Sequence, residues 1–229
     1  MEEIIHTPRL KLTLVKSAER GSRELEWLHE IRSNEQTTWW SIYGRSQTLE
    51  DTEKVIQGIL PLPATQSQKN PCRIVYAVHE ILAAHSEATN PEERPTRIIG
   101  LVTLRSLDAS NLALPPQLFP ACTQTPSSPV LTLELGYLFL PAAWGKGYGT
   151  ESVSAVFAAC QRASGVWAAW DKIYVRAIVN AENPASRRVL GKVGVPLLGM
   201  YEWEGKAVYL AGEWRERSDL CVYGMFLVG

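Results

Sequence analysis

Apolar residues alternate with polar ones at the start of the chain. In "LKLTLV", Leu10, Leu12 and Leu14 occupy every second position, which predicts a half-buried strand. "SRELEWLHEIRSNEQ" then carries Leu25, Leu28 and Ile31 at helical spacing among dispersed charges, predicting a first helix. "TLEDTEKVIQGIL" opens with Thr48 three residues ahead of Asp51, a capping-box pattern, and Val55, Ile56 and Ile59 give it an apolar face. "PLPATQSQKNP" is a loop by composition. "RIVYAVHE" and "TRIIGLVTLRSL" read as strands joined by the polar "HSEATNPEERP". From Ser106 to Pro129 Pro, Ser and Thr dominate. This longest irregular stretch reads as an insertion at an edge, either a lid on the substrate side or a surface loop without a role.

"LTLELGYLF" returns to strand alternation, a glycine-rich turn follows, and a helix is expected from about Thr150. In it Val153, Val156, Phe157 and Cys160 recur at i, i+3, i+4 and i+7. "KIYVRAIV" is another strand. "NPASRRVLGKVG" is a short helix capped by Asn183, with Pro184 in its first turn and Gly194 as its stop. "AVYLAGEWRER" and "LCVYGMFLV" are expected to be a closing pair of strands. The order β-α-α-β-β-β-α-β-α-β-β, without internal repeats, describes one mixed α/β domain over residues 1–229, with insertions at about 80–96 and 106–129.

Composition narrows the function classes. A formal charge of -1 with acids and bases mixed argues against nucleic acid as a partner, because phosphate neutralisation needs a net basic face. No run reaches the apolar length of a membrane span, and the start lacks a signal-peptide core. The four cysteines, Cys72, Cys122, Cys160 and Cys221, lack CxxC spacing, and no histidine stands at ligand spacing from one, so no metal site is expected. A soluble, cytoplasmic protein is the expectation.

The chemistry concentrates in "LELGYLFLPAAWGKGYGTES", Leu133 to Ser152. Gly145, Gly147 and Gly149 leave backbone N–H groups bare at a helix N-terminus, where the positive end of the helix dipole favours phosphate. Lys146 adds a charge at the rim. The nucleotide P-loop needs GxxxxGK[ST], and the dinucleotide fingerprint needs GxGxxG in the first βα unit; neither fits. Alone, the turn is equally a piece of strand-to-helix geometry.

Together, "ELGYLFLPAAWGKGYGTES" and "VRAIVNAENPASRRVLGKVG" resemble the GNAT superfamily of acyl-CoA N-acyltransferases, and within it the RimJ/RimL branch. The family's [RQ]xxGx[GA] motif falls on Trp144 to Thr150, its N-x-x-S on Asn183 and Ser186, and "HTPRLKLTLV" is similar to the branch's first strand. The resemblance runs from about Thr7 to the C-terminus. It implies a GNAT fold, a mixed sheet flanked by helices with a V-shaped splay between two parallel strands. It also implies acetyl-CoA as cosubstrate and a primary amine, in a small molecule or at a protein N-terminus, as acceptor, in a monomer or homodimer.

On that resemblance, Leu138, Phe139 and Leu140 line the pantetheine. Trp144, Gly145, Lys146, Gly147, Tyr148, Gly149 and Thr150 surround the pyrophosphate, and Asn183 and Ser186 meet the cofactor from the next helix. Glu134 is either the base that takes the amine proton or the partner of a nearby cation. A backbone N–H around Leu138 or Phe139 faces the oxyanion. Many relatives place a proton-donating tyrosine where this chain has Leu190, so Ser186 is either the donor to the leaving thiolate or a small packing residue. Trp39 and Trp40 fall where relatives build the acceptor wall. An acetyltransferase is the first reading and a catalytically silent acyl-CoA-binding sensor or scaffold the second.

Overall fold

The computed structural model describes residues 1–61, 72–82, 94–107, 111–119 and 129–229. Eight strands form one sheet: β1 (Ile4–His6), β2 (Leu10–Leu14), β3 (Arg73–Ile81), β4 (Thr96–Ser106), β5 (Val130–Phe139), β6 (Lys172–Asn180), β7 (Leu197–Leu210) and β8 (Glu213–Val228). Four helices accompany them, α1 (Arg23–Ser33), α2 (Leu49–Ile56), α3 (Tyr148–Arg162) and α4 (Pro184–Val193). The spatial order is β1-β2-β3-β4-β5-β6-β8-β7. Every pairing is antiparallel except β5 with β6, whose parallel run needs a crossover, and α3 supplies it.

The mixed α/β class and the two flanking helical layers follow the pattern of apolar positions. Ser22 caps α1 by accepting from the Leu25 amide, and Leu25, Leu28 and Ile31 are buried. The expected capping box of α2 is formed, with Thr48 and Asp51 bonding each other's backbone N–H. Those two helices cover one face of the sheet over Val75, Ala77 and Leu101. On the other face α3 sets Val153, Val156, Phe157 and Cys160 against Leu133, Leu135, Val175 and Ala177.

Three elements differ from expectation. The short edge strand β1 carried no readable period. Helix α3 starts at Tyr148, two residues early, because Gly147 serves as its cap. The closing pair is displaced: "AVYLAGEWRER" is not one strand, since Ala211 and Gly212 both take positive φ (54° and 85°) and form the hairpin turn. Strand β7 begins at Leu197 on the outer edge of the sheet, and the short alternation of Tyr201 and Trp203 with Glu202 and Glu204 is the signal in it that sequence reasoning passed over. Of the expected loops at 61–71 and 85–95, residues 62–71 and 85–93 lie outside the described residues, as do 108–110 and 120–128 of the second insertion.

Residues 111–119 of that insertion lie against the sheet on the α1/α2 side. The Leu112 carbonyl accepts from Arg176 on β6, the Phe119 ring sits 6.0 Å from the Arg176 guanidinium, and Leu118 packs on Gly199 of β7, where an added Cβ would lie 2.6 Å away.

Candidate functional site

Strands β5 and β6 pair from Val130 with Lys172 to Glu134 with Arg176, and there the register ends. Yet β5 continues to Phe139, held on its outer edge by β4, and β6 continues to Asn180, held by β8. Each limb is secured outside and bare inside, which is a V with Glu134 and Arg176 at its apex.

The ladder decides which backbone groups face the gap. Leu140 N–H donates to the Ile99 carbonyl and Leu107 N–H to the Thr132 carbonyl, so even-numbered residues of β5 point to β4. Leu138 and Leu140 are thus committed to β4, and the Leu140 carbonyl also accepts from Ala143. The odd positions, Leu135, Tyr137 and Phe139, turn to the gap. The Phe139 carbonyl is occupied by Trp144 Nε1 at 2.7 Å and Thr37 Oγ1 at 3.4 Å, which leaves its N–H as the group it can offer. Of the three residues expected to line the pantetheine, Phe139 has the bare backbone donor.

Beyond β5 the glycine turn takes the form an anion requires. Gly145 and Gly147 adopt φ of 74° and 81°, a region closed to most side chains, and this curls the chain so that the amides from Tyr148 to Thr150 open α3 without helical acceptors. Gly149 has a different reason: an added Cβ would lie 3.3 Å from Val189 and 3.5 Å from the Phe139 ring, so its absence lets α3 approach α4.

Cations ring the turn. Arg9, from the chain start, donates to the Lys146 carbonyl at 2.9 Å, pairs with Glu151 of α3 at 2.5 Å and lies 4.7 Å over the Tyr148 ring. Tyr148 donates to Glu80, which also pairs with Arg97 and, at 3.8 Å, with Lys146. The Tyr148 hydrogen bond holds the Glu80 carboxyl below its ordinary value, and the same bond raises the Tyr148 phenol. Sequence reasoning missed Arg9, because nothing local announces a residue that meets Glu151 across 142 positions.

On the opposite limb, Asn183 Oδ1 caps α4 by accepting the Ser186 N–H at 3.1 Å, which leaves Nδ2 unused by the cap. Ser186 Oγ is 2.6 Å from the Tyr137 hydroxyl, which also donates to the Ser186 carbonyl at 3.1 Å. This contact spans the V from β5 to α4. Burial pushes the Tyr137 phenol up to about 12, so it stays protonated at neutral pH. The signal was present in "LELGYLF": Tyr137 continues the apolar row of Leu133 and Leu135 but ends in a hydroxyl. Leu190, at the position where relatives carry a tyrosine, is fully buried.

At the apex, Glu134 is surrounded by cations. Arg176, 2% exposed, donates through Nε and Nη2 to one carboxylate oxygen at 3.0 and 2.8 Å. Arg105 at 3.5 Å and Asn111 Nδ2 at 3.3 Å meet the other. Both oxygens of the Glu134 carboxylate are thus engaged.

Trp39 and Trp40 stand beside the far end of the sheet. The Ala211 N–H donates to the Trp39 carbonyl at 2.8 Å, the Trp39 ring packs on Gly212, and Trp40 lies 5.8 Å from Arg215. This ties the α1–α2 connection to the β7–β8 hairpin and frames a groove lined by Glu35, Thr38, Trp39, Tyr209 and Gly212. Among the described residues no cluster of metal-ligating side chains occurs, and no helix is long and apolar enough to cross a membrane.

A mixed sheet splayed between two parallel strands, with a glycine turn of bare amides at the end of one limb, is the fold of the acyl-CoA N-acyltransferases. The acetyltransferase (GNAT) domain model matches residues 11–195, and the chain belongs to that family. Among solved structures, it is similar to a GNAT-family acetyltransferase from Bacillus anthracis (19% identity, TM-score 0.55, 98% of each chain covered). It is also similar to the spermidine N-acetyltransferase from Vibrio cholerae in complex with CoA and spermine (15%, 0.56, 94% of this chain and 95% of that one). A third is the ribosomal-protein-S5-alanine acetyltransferase from Vibrio fischeri (16%, 0.57, 98% and 96%). No curated protein sequence matches the chain at a significant level.

Proposed function

We propose that the chain is an acetyl-CoA-dependent N-acetyltransferase of the RimJ/RimL-like branch, acting on a primary amine of a small molecule or a peptide N-terminus. One observation carries the reading: a strand edge bare on its inner side runs directly into a left-handed glycine turn at the N-terminus of α3. That arrangement fits a long anionic thioester carrier and little else. The amides of Gly145 to Thr150, with Lys146 and Arg9 at the rim, suit its diphosphate. The gap-facing backbone of Tyr137 suits its amide-bearing arm, in the manner of an added strand. Asn183 Nδ2 meets the same arm from α4. When bound, the carrier supplies an activated acyl carbon.

The residues of this chain then divide the work. The Phe139 N–H donates to the oxygen that gains charge as the amine attacks. Ser186 presents its hydroxyl to the departing sulfur, and Tyr137 orients that hydroxyl from across the gap. Glu134 holds the apex of the V together with Arg105 and Arg176, and the amine proton leaves through water.

The test is thiol release from acetyl-CoA with a panel of amines, beside calorimetry with coenzyme A. Amine-dependent release supports the transferase. Binding of coenzyme A without turnover of any amine supports the silent scaffold, and no heat of binding would sink both.

A further inference from the structure

The anion turn, Asn183 and Ser186 all belong to α3 and α4, on one face of the sheet. An amine that attacks from outside the carrier must come from the other face, the one that carries Glu134 and Arg176. On that face, period-two alternation along β6 brings Tyr174, Arg176, Ile178 and Asn180 together, and register places Leu220 of β8 opposite Asn180. Ser218 follows on β8, opposite Trp203 of β7, while Tyr201 faces Leu220. Thus Asn180, Ser218, Tyr201 and Trp203 share one surface at the wide end of the V.

Two polar atoms on this surface have no hydrogen-bond partner among the described residues although their side chains are more than nine-tenths buried: Asn180 Nδ2 and Ser218 Oγ. The Asn180 carboxamide is oriented by its oxygen, which accepts the Glu182 N–H at 2.9 Å, so the unpaired end is the N–H donor. An unmet buried donor is unfavourable, and two on neighbouring strands are a built feature of this surface. Both groups can donate, and what satisfies two donors is an acceptor oxygen. The paired carboxylates on this side are held by arginines, Glu134 by Arg105 and Arg176, Glu182 and Glu213 by Arg215, while Glu202, Glu204 and Asp219 of β7 and β8 alternate to the opposite face. A polycation finds its natural partners engaged there.

We infer that Asn180 and Ser218 form a subsite for the carbonyl oxygen of the amine acceptor, whose class is an α-amino carbonyl compound rather than a polyamine. This rests on the transferase reading. The first carbonyl beside the amine reaches Asn180, whose own carbonyl accepts the Asn183 N–H at 2.9 Å and so sits directly below the cap of α4. Tyr201 and Trp203 flank the remainder of the acceptor.

The experiment measures thiol release with amino-acid amides and tripeptides, free amino acids, spermidine and butylamine. Efficiency (kcat/KM) at least tenfold higher for carbonyl-bearing amines, after each rate is divided by that amine's neutral fraction at the assay pH, supports the subsite, and the contrast between free amino acids and their amides or peptides identifies the source of the carbonyl. Asn180→Asp keeps the oxygen that the Glu182 N–H needs but removes the donor. Ser218→Ala deletes an unpartnered hydroxyl and should leave the melting temperature unchanged or higher. Each should raise the KM for the amide about tenfold, the worth of one hydrogen bond, with no change for butylamine or in the KM for acetyl-CoA. Spermidine or butylamine used as efficiently as the amides, or equal losses for all amines in the variants, overturns the subsite alone. No turnover of any amine overturns the transferase reading and the subsite with it.

Discussion

Replacing Gly147 by aspartate puts a negative charge where the structure offers bare amides. The fold has room for it, since the nearest atom to an added Cβ is Arg9 Nη2 at 3.5 Å, an ordinary contact. The positive φ of 81° is then the only strain, about 1–2 kcal/mol for most residues and less for aspartate, which tolerates the left-handed region. Binding should suffer more. Two unit charges about 4 Å apart repel by about 1 kcal/mol in water and about 4 kcal/mol near a protein surface. This rim is open, so about 1–2 kcal/mol for each of two phosphates is appropriate, and the new carboxylate also draws Arg9 towards itself. A total of about 3 kcal/mol corresponds to a rise of roughly a hundredfold in the dissociation constant for coenzyme A. Titration calorimetry measures this directly, with Gly147→Ala as the control that carries strain without charge. A folded Gly147→Asp protein that binds within twofold of the parent would refute the phosphate assignment.

Other outcomes follow from the same geometry. Tyr137→Phe should lower kcat several-fold with little effect on the KM for acetyl-CoA, and should cost no more when made in a Ser186→Ala background; full additivity in steady-state kinetics would show that the pair does not act as a unit. Glu134→Gln should cost about 3 kcal/mol of stability by leaving the buried Arg176 without its counter-charge, read from urea unfolding. A stable variant whose pH–rate profile loses its acidic limb would instead make Glu134 the base. Burial holds the His79 imidazole down to about 4, against 6.5 for the free side chain. Across that window the unfolded chain takes up a proton that the folded one refuses, so stability falls as pH drops through it. His79→Leu should flatten the dependence of the urea midpoint on pH there, and an unchanged slope would assign the acid sensitivity elsewhere.

How much of this was legible in the chain varied by element. The buried faces of α1, α2 and α3 repeat at helical spacing, β2 and β5 alternate, and Thr48, Asn183 and Gly194 mark helix ends, because each signal lies within a few residues of its effect. The hairpin turn at Ala211–Gly212 escaped notice because alanine does not announce the positive φ that Ala211 takes, a position usually filled by Asn, Asp or Gly. The glycine turn and the Asn183–Ser186 cap were readable for the same local reason, and the family they resemble is the one to which the chain belongs.

Long-range juxtaposition was a different matter. No spacing brings Arg9 to Glu151, and none sets Tyr137 against Ser186 or encloses Glu134 between Arg105 and Arg176. Those pairings depend on where β5 and β6 part and on how an insertion lies across the sheet. Both are settled by the packing of whole strands against one another, so local order was written along the chain, whereas the choice of partners for each charge and hydroxyl arose only when the sheet closed around them.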